Sequence, residues 1–497
     1  MQKRHLHSLP ALLLSLAAGP LACFQGDDLD LDDLAEAETE ALDEDGGEDP
    51  DEGEHPALEA PAPAEGDTTP ELTLLVNGSS TPELVRSATE LVMSAEVRDD
   101  IGVERVEFYL GEELVETDTE APYEARLVAP DASFNGAHAL VAVAYDEAAN
   151  TTEDAIELAV EMPETGTLEW VYEGAPGEDW VGVFPGPDGG ALVVGRDRLL
   201  RVSAEGEALS SWDFPYPISV ATADHGGGII ALGANAGTAG TLFFSRFDAD
   251  GIVTSVQLVP EFGDVEEGFS ITDAAVGHND RLMIAALSSY AGQETARLSS
   301  VTNTDEVVEE WHRYQLREGE RSLGAPARVA VGPSGEIFMT VEFALDSDSA
   351  WGQVRRYGQG GYQHWYSEDA QPKSSGDLAL AVNEHGVFAG GRQEGEAAIR
   401  KFDELGEQLG LYYLDGEALT AMELIDDELV YVTRGGNSVD GVVGRMSVDG
   451  EPRWSVTTDE GLANPSNPED LAVTRVGHVY VLSELDLGAP RLARFHP

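Results

Sequence analysis

Short runs in which apolar and polar residues alternate fill most of the chain beyond about residue 70. From about residue 180 these runs come in sets of one design. Each set reads apolar strand, tight polar turn, second apolar strand, variable loop, third strand, Asp/Gly turn, and a fourth strand that often carries Trp. The first set runs Val181 to Phe184, Pro187-Asp188-Gly189-Gly190, Ala191 to Gly195, Leu199 to Ser203, Ala204-Glu205-Gly206, and Leu209 to Phe214. Later sets make their first turn at Asp224-His225-Gly226, His278-Asn279-Asp280, Pro333-Ser334-Gly335, His385-Gly386, Asp426-Asp427 and Gly477-His478. These residues tolerate the positive φ that two- and three-residue hairpin loops demand.

A four-stranded unit repeated every 40 to 50 residues or so predicts a β-propeller. The seventh set stops after a third strand, Arg491 to Phe495, while an orphan strand, Leu168 to Tyr172, precedes the first set. The orphan is expected to complete the last blade and close the ring, which removes an exposed sheet edge. The expected fold class is therefore all-β, with a seven-bladed propeller over 167–497. The turn at Ser447 to Gly450 before Trp454 resembles the Asp-box of sialidase-type propellers, and the Asp-Gly-Trp lines resemble quinoprotein-like and NHL-like repeats. Neither resemblance brings a catalytic set with it, and both are read as structural.

Residues 71–162 alternate in the same way through seven short strands, which suggests a β-sandwich. The runs Val106 to Gly111, Thr117 to Tyr123, Asn135 to Leu140 and Ala142 to Asn150 resemble a bacterial Ig-like domain of the kind found in surface and secreted proteins. That resemblance implies a spacer or adhesive module and no chemistry of its own.

The N-terminus has a basic start at Lys3-Arg4, an apolar run from Leu9 to Ala22, and then Cys23. This pattern reads as a signal peptide over 1–23 and implies export. A cysteine at this position resembles the lipidated cysteine of bacterial lipoproteins, so Cys23 is the expected lipid-anchor site at an outer membrane or cell surface. The alternative is a secreted or periplasmic protein cut without lipidation. Residues 24–70 hold nineteen carboxylates and no Lys or Arg. That composition cannot offset ordering entropy and predicts a disordered acidic tether. It would reach about 150 Å if fully extended.

The formal charge of −66 all but excludes nucleic-acid binding, which needs clustered Lys and Arg. A single cysteine excludes internal disulfides, so exported domains must hold by packing alone.

Candidate chemistry is sparse. Asp99, Asp100, Asp146 and Asn150 fall in loops expected at one end of the sandwich and offer hard oxygen ligands for calcium. The competing reading is turns capped by their own side chains. His225, His278, His385 and His478 occupy the same turn of four blades, where a metal ring is conceivable. The longer loops on the other face carry Trp180, Tyr290, Trp351, Asp346 and Asp348, with Asp264, Asp369 and Asp459 nearby. Rings beside carboxylates suit a carbohydrate, a cationic protein ligand or a calcium-bridged one. The expectation is a binding or scaffold protein and no enzyme. The alternatives are a calcium-assisted hydrolase of glycan or lactone using those carboxylates, and a structural envelope protein.

Overall fold

A computed structural model describes residues 68–497, except 83, 130–131, 235–241, 260–268, 278–279, 291–292, 302–306, 316–320, 323–327, 347–348, 359–362, 367–378, 436–440, 458–466 and 485–488. Cys23 and residues 24–67 of the expected tether lie outside the described residues. Residues 63–497 belong to one compact unit. Its regular structure is strand, with two short 3-10 turns. Among the described residues no helix is long and apolar enough to cross a membrane.

The first seven strands form two packed sheets. One holds Glu71–Val76, Thr89–Arg98 and Tyr123–Ala129; the other holds Glu113–Asp118, Val103–Leu110, Gly136–Asp146 and Thr151–Val160. Alternate residues Leu91, Met93 and Ala95, Val106 and Phe108, and Leu140, Ala142 and Ala144 point inward into one shared core. A period of two on each strand is what a sheet with one wet face requires.

Seven further sheets follow in chain order, each an antiparallel meander. Blade 1 is built from Trp180–Pro185, Ala191–Gly195, Arg198–Val202 and Ala208–Asp213. Blades 2 to 6 occupy 220–259, 269–315, 321–366, 379–414 and 418–457. In blade 4 the innermost strand comes in two pieces, Arg321–Ser322 and Val329–Val331. Blade 7 takes Asn467–Val473, Val479–Glu484 and Pro490–Phe495 from the C-terminus, and its outermost strand, Leu168–Glu173, from before blade 1. The closing register pairs Leu492 with Tyr172, Ala493 with Val171 and Arg494 with Trp170. Innermost strands touch their neighbours all the way round, blade 7 against blade 1 included. The protein is thus an Ig-like sandwich followed by a closed seven-bladed propeller.

The propeller core lies between blades. Leu192, Val194 and Leu199 of blade 1 pack on Ile229, Ala231, Phe243 and Phe247 of blade 2. The Asp/Gly turn and the fourth-strand aromatic belong to one device. In the third-to-fourth turn of blade 6, Gly450 has φ +87°, and an added Cβ would stand 2.2 Å from the Tyr412 ring of blade 5. Gly206 of blade 1, with φ +83°, lies against Trp170 of blade 7, where a Cβ would be 2.8 Å from the indole. The Trp170 indole N–H donates to the Ala204 carbonyl in that turn at 2.7 Å. At these two seams a blade seats its outer aromatic under the next blade's turn, whereas Gly251 of blade 2 lies against Leu192 and Leu199 of blade 1.

Candidate functional site

In a four-stranded meander, the first and third turns lie at one end of the blade and the second turn and the inter-blade connection at the other. The Ig-like sandwich sits on the end made by first and third turns. Arg86 to Glu90 of the sandwich face the turns at Pro185 to Gly189, Ala204-Glu205 and Thr474 to Val476 across a cleft of about 1090 Å³. Beneath it the buried His478 Nε2 stands 2.9 Å from the Ala88 carbonyl. Arg494 donates to Ser87 Oγ at 3.1 Å, and Arg475 reaches Glu90 at 3.7 Å.

The opposite face, made by second turns and inter-blade connections, carries a recess of about 490 Å³ between blades 1 and 2. Pro176 to Asp179, Arg196-Asp197 and Phe214 to Pro217 line it. Short loops with fixed backbone bonds build it: Arg196 N donates to Asp179 O, Phe214 N to Asp197 O, and Ile218 N to Arg196 O, each at 2.7 Å. Tyr216 is half-buried, its ring standing edge-on to Phe243 at 5.0 Å. Around it Pro176, Pro215 and Pro217, Asp179, Arg196 and Asp197 are exposed. Arg196 pairs loosely with Asp179 at 3.3 Å. The recess offers an aromatic edge, rigid apolar rims, carboxylates and a guanidinium: groups that hold a polar ligand with apolar faces. No nucleophile paired with a base appears there.

Trp180, expected beside this recess as an exposed platform, is placed otherwise. It is 4% exposed and packs on Val183, Val193 and Leu492, stacked against Tyr172 at 6.1 Å. The reason is ring closure: Trp180 begins the strand that abuts blade 7, and its indole fills that seam. Tyr290, Trp351 and Asp346 lie on strands, but their side chains are outside the described residues, as are Asp348, Asp264, Asp369 and Asp459 altogether.

The proposed calcium ligands do not converge. Asp146 is fully buried, and its Oδ1 accepts the backbone N–H groups of Ala148 and Asn150 at 2.9 and 2.8 Å. Its Oδ2 takes the Asn150 amide at 2.8 Å. Asp99 Oδ2 accepts from Ile101 and Gly102, and Asp100 from Thr68. Asp99 and Asp146 cap their own turns, as the competing reading of the sequence has it, while Asp100 meets Thr68. Among the described residues, one group of three potential ligands lies within bonding reach, and it is elsewhere.

Nor do the turn histidines form a ring. His225 Nε2 reaches the Gly277 carbonyl of the next blade at 3.1 Å, and His385 Nε2 reaches Asp427 of the next blade at 2.6 Å. His278 lies outside the described residues. They act as ties between adjacent turns. His478 instead lies buried beneath the cleft, against Glu169, Arg494 and His496. Burial pushes His478 down to about 4, so the ring is neutral at ordinary pH. Burial pushes Glu169 up, but the His496 hydrogen bond and the Arg494 charge outweigh it and hold the carboxyl below its usual range.

Sequence reasoning missed a second set, three carboxylates on innermost strands around the ring axis. Asp273 accepts the Val329 N–H of the next blade at 2.7 Å, Glu423 that of Val473 at 2.8 Å, and Asp470 that of Val183 at 3.0 Å. Each lies at or within three residues of a bulge in its strand. Burial pushes all three up, Glu423 to about 8 and Asp470 to about 6. The available signal was a carboxylate inside an apolar first strand in three different repeats.

A family model described as a bacterial Ig domain matches residues 62–142. No curated protein matches the chain. Among solved structures, fibronectin(III)-like modules of Clostridium thermocellum CbhA are 28% identical over 18% of this chain and 94% of theirs, with a TM-score of 0.16. The Neurospora crassa Pan2 WD40 domain is 9% identical, covers 64% of this chain and 90% of its own, and scores 0.40. The tricorn protease is 10% identical over 83% of this chain and 46% of its own, at 0.41. At such scores these likenesses carry no argument, and the propeller rests on the strand pairing above.

Proposed function

We propose that this chain is an exported, lipid-anchored binding protein that presents the loop face of its propeller to a ligand at the cell surface. One observation carries the reading: the Ig-like sandwich sits against the turns of blades 7 and 1, and the opposite face holds a recess of about 490 Å³ with an aromatic edge and mixed charges. Bacterial Ig domains occur in surface and extracellular proteins, and the residues before Cys23 resemble a lipoprotein signal; both support export. The acidic tether would let the folded part stand off a membrane.

A carbohydrate or a cationic peptide fits the recess chemistry. Tyr216 and the three prolines give flat apolar contact, while Asp179 and Asp197 give acceptors. Catalysis is not part of the reading, because the recess lacks an assembled acid/base or nucleophile pair among its described residues.

The test is retention of the mature protein on a panel of surface polysaccharides and cationic peptides, scored together with product release. Binding without products is expected. Tyr216→Ala should weaken it at least about tenfold, the scale of 1.4 kcal/mol that a single aromatic contact supplies. Released products would sink the platform in favour of a hydrolase, and no retained ligand would leave a structural envelope role.

A further inference from the structure

Three side chains from separate stretches of the closing blade meet at its turn end. Glu169 comes from the N-terminal strand, His478 from the first turn, and His496 from just past the last strand. One ligand atom of each lies within 4.8 Å of the others. His496 Nδ1 stands 3.1 Å from Glu169 Oε1, and His478 Nδ1 stands 3.7 Å from Oε2. Ligand atoms in a tetrahedral site with bonds of about 2.0–2.1 Å are about 3.3 Å apart. The spacing is that of a nearly formed shell.

Both imidazoles are fully buried, and His478 Nδ1 and His496 Nε2 have no hydrogen-bond partner. Two contacts at His478 Nε2 ask for opposite roles, the Ala88 carbonyl at 2.9 Å for an N–H and Arg494 Nη2 at 2.5 Å for a lone pair; a metal on Nδ1 places the proton on Nε2. The Nδ1 lone pair then looks across 3.7 Å at a carboxylate oxygen. Two buried acceptors facing each other are costly, and a cation held by Nδ1 and the carboxylate completes the arrangement.

We propose that Glu169, His478 and His496 bind a dication of the zinc class and so staple the ring's N-terminal strand to its C-terminal one. Two imidazoles and one carboxylate suit zinc, whereas calcium asks for six to eight oxygens. Three protein ligands leave a fourth position for water on the side of the cleft that Glu169 lines. Arg494 is the opposing charge, with its Nε 2.9 Å from Glu169 Oε2. It leaves Oε1 to the metal, and a ligating carboxylate supported by a further charged partner is the ordinary outer-shell arrangement. With the proton on His478 Nε2, the Arg494 Nη2 donates instead to Ser87 Oγ at 3.1 Å. The formal −66 of the chain favours a dication over the repulsion from one guanidinium. With a single cysteine, closure has no disulfide to rely on, and a metal held only by the closed ring stabilises that state.

The full chain, stripped with chelator, is titrated with zinc and separately with cobalt(II). One equivalent of zinc with a raised melting temperature is expected, together with the intense visible bands of four-coordinate cobalt. His496→Gln, which leaves the Arg494–Glu169 pair in place, should weaken binding by about 100-fold, at least the size of a lost outer-shell partner. Glu169→Gln should do the same, and His225→Gln should change nothing. Absence of a stoichiometric equivalent, an octahedral cobalt spectrum, or zinc binding untouched in His496→Gln would each overturn the staple.

Discussion

Replacing Gly450 by Ala tests the device that seats one blade on the next. The residue has φ +87°, and the new Cβ would stand 2.2 and 2.3 Å from Tyr412 Cε1 and Cδ1. An Ala in the left-handed region costs about 1–2 kcal/mol, and forcing a methyl against a packed ring costs about 1–3 kcal/mol more. The expected loss is about 2–5 kcal/mol. Gly395→Ala is the control: it has φ +98° with no atom within 4 Å of the added Cβ, so only the backbone cost of about 1–2 kcal/mol applies. Urea unfolding followed by Trp fluorescence gives both numbers. In a Tyr412→Ala background the clash is gone, and Gly450→Ala should fall to the cost of the control. If Gly450→Ala and Gly395→Ala are equally destabilising, or if the Tyr412→Ala background brings no relief, the aromatic–turn seating is not what holds adjacent blades.

Trp170→Ala removes the closing strand's indole from the Ala204 carbonyl and from its place under Gly206; a loss of about 3 kcal/mol is expected from burial alone, read by thermal unfolding. Glu423 should make the propeller more stable in acid. Its carboxyl would ionise near 4.5 when unfolded and near 8 when folded, so its contribution is fully present below about 4.5 and is lost as pH rises through 8. Glu423→Gln should flatten that part of the stability–pH curve, and an unchanged slope between pH 6 and 9 would refute the burial argument. Asp470, pushed up to about 6, predicts the same sign over a lower window, from about 4 to 6, with Asp470→Asn as the check.

Much of the architecture can be read from the chain because a closed ring repeats one local solution. The Asp/Gly turn, the aromatic outer strand and the orphan at Leu168 to Tyr172 are all consequences of blades that cannot bury their faces alone. Sites are less legible. Trp180 looks like a platform in sequence because aromatic residues at strand starts border loops; its true neighbour, Tyr172, comes from the strand that closes the ring. Asp146 and Asn150 look like ligands because a capped turn and a calcium loop use the same side chains. The Glu169–His478–His496 meeting is invisible locally, since its members are brought together by ring closure across more than three hundred residues. Of the three, His478 alone stands out in the sequence, by its turn position, and there it points to a different grouping.

The claim with most at stake is that ligand binds on the loop face, opposite the sandwich. Hydrogen exchange of the full chain with and without a retained polysaccharide or peptide tests it directly. Protection confined to residues 174–179, 196–197 and 214–218, and lost in Tyr216→Ala, is the result this account predicts. Protection centred on Arg86 to Glu90 and Thr474 to Val476, at the cleft under the sandwich, would contradict it.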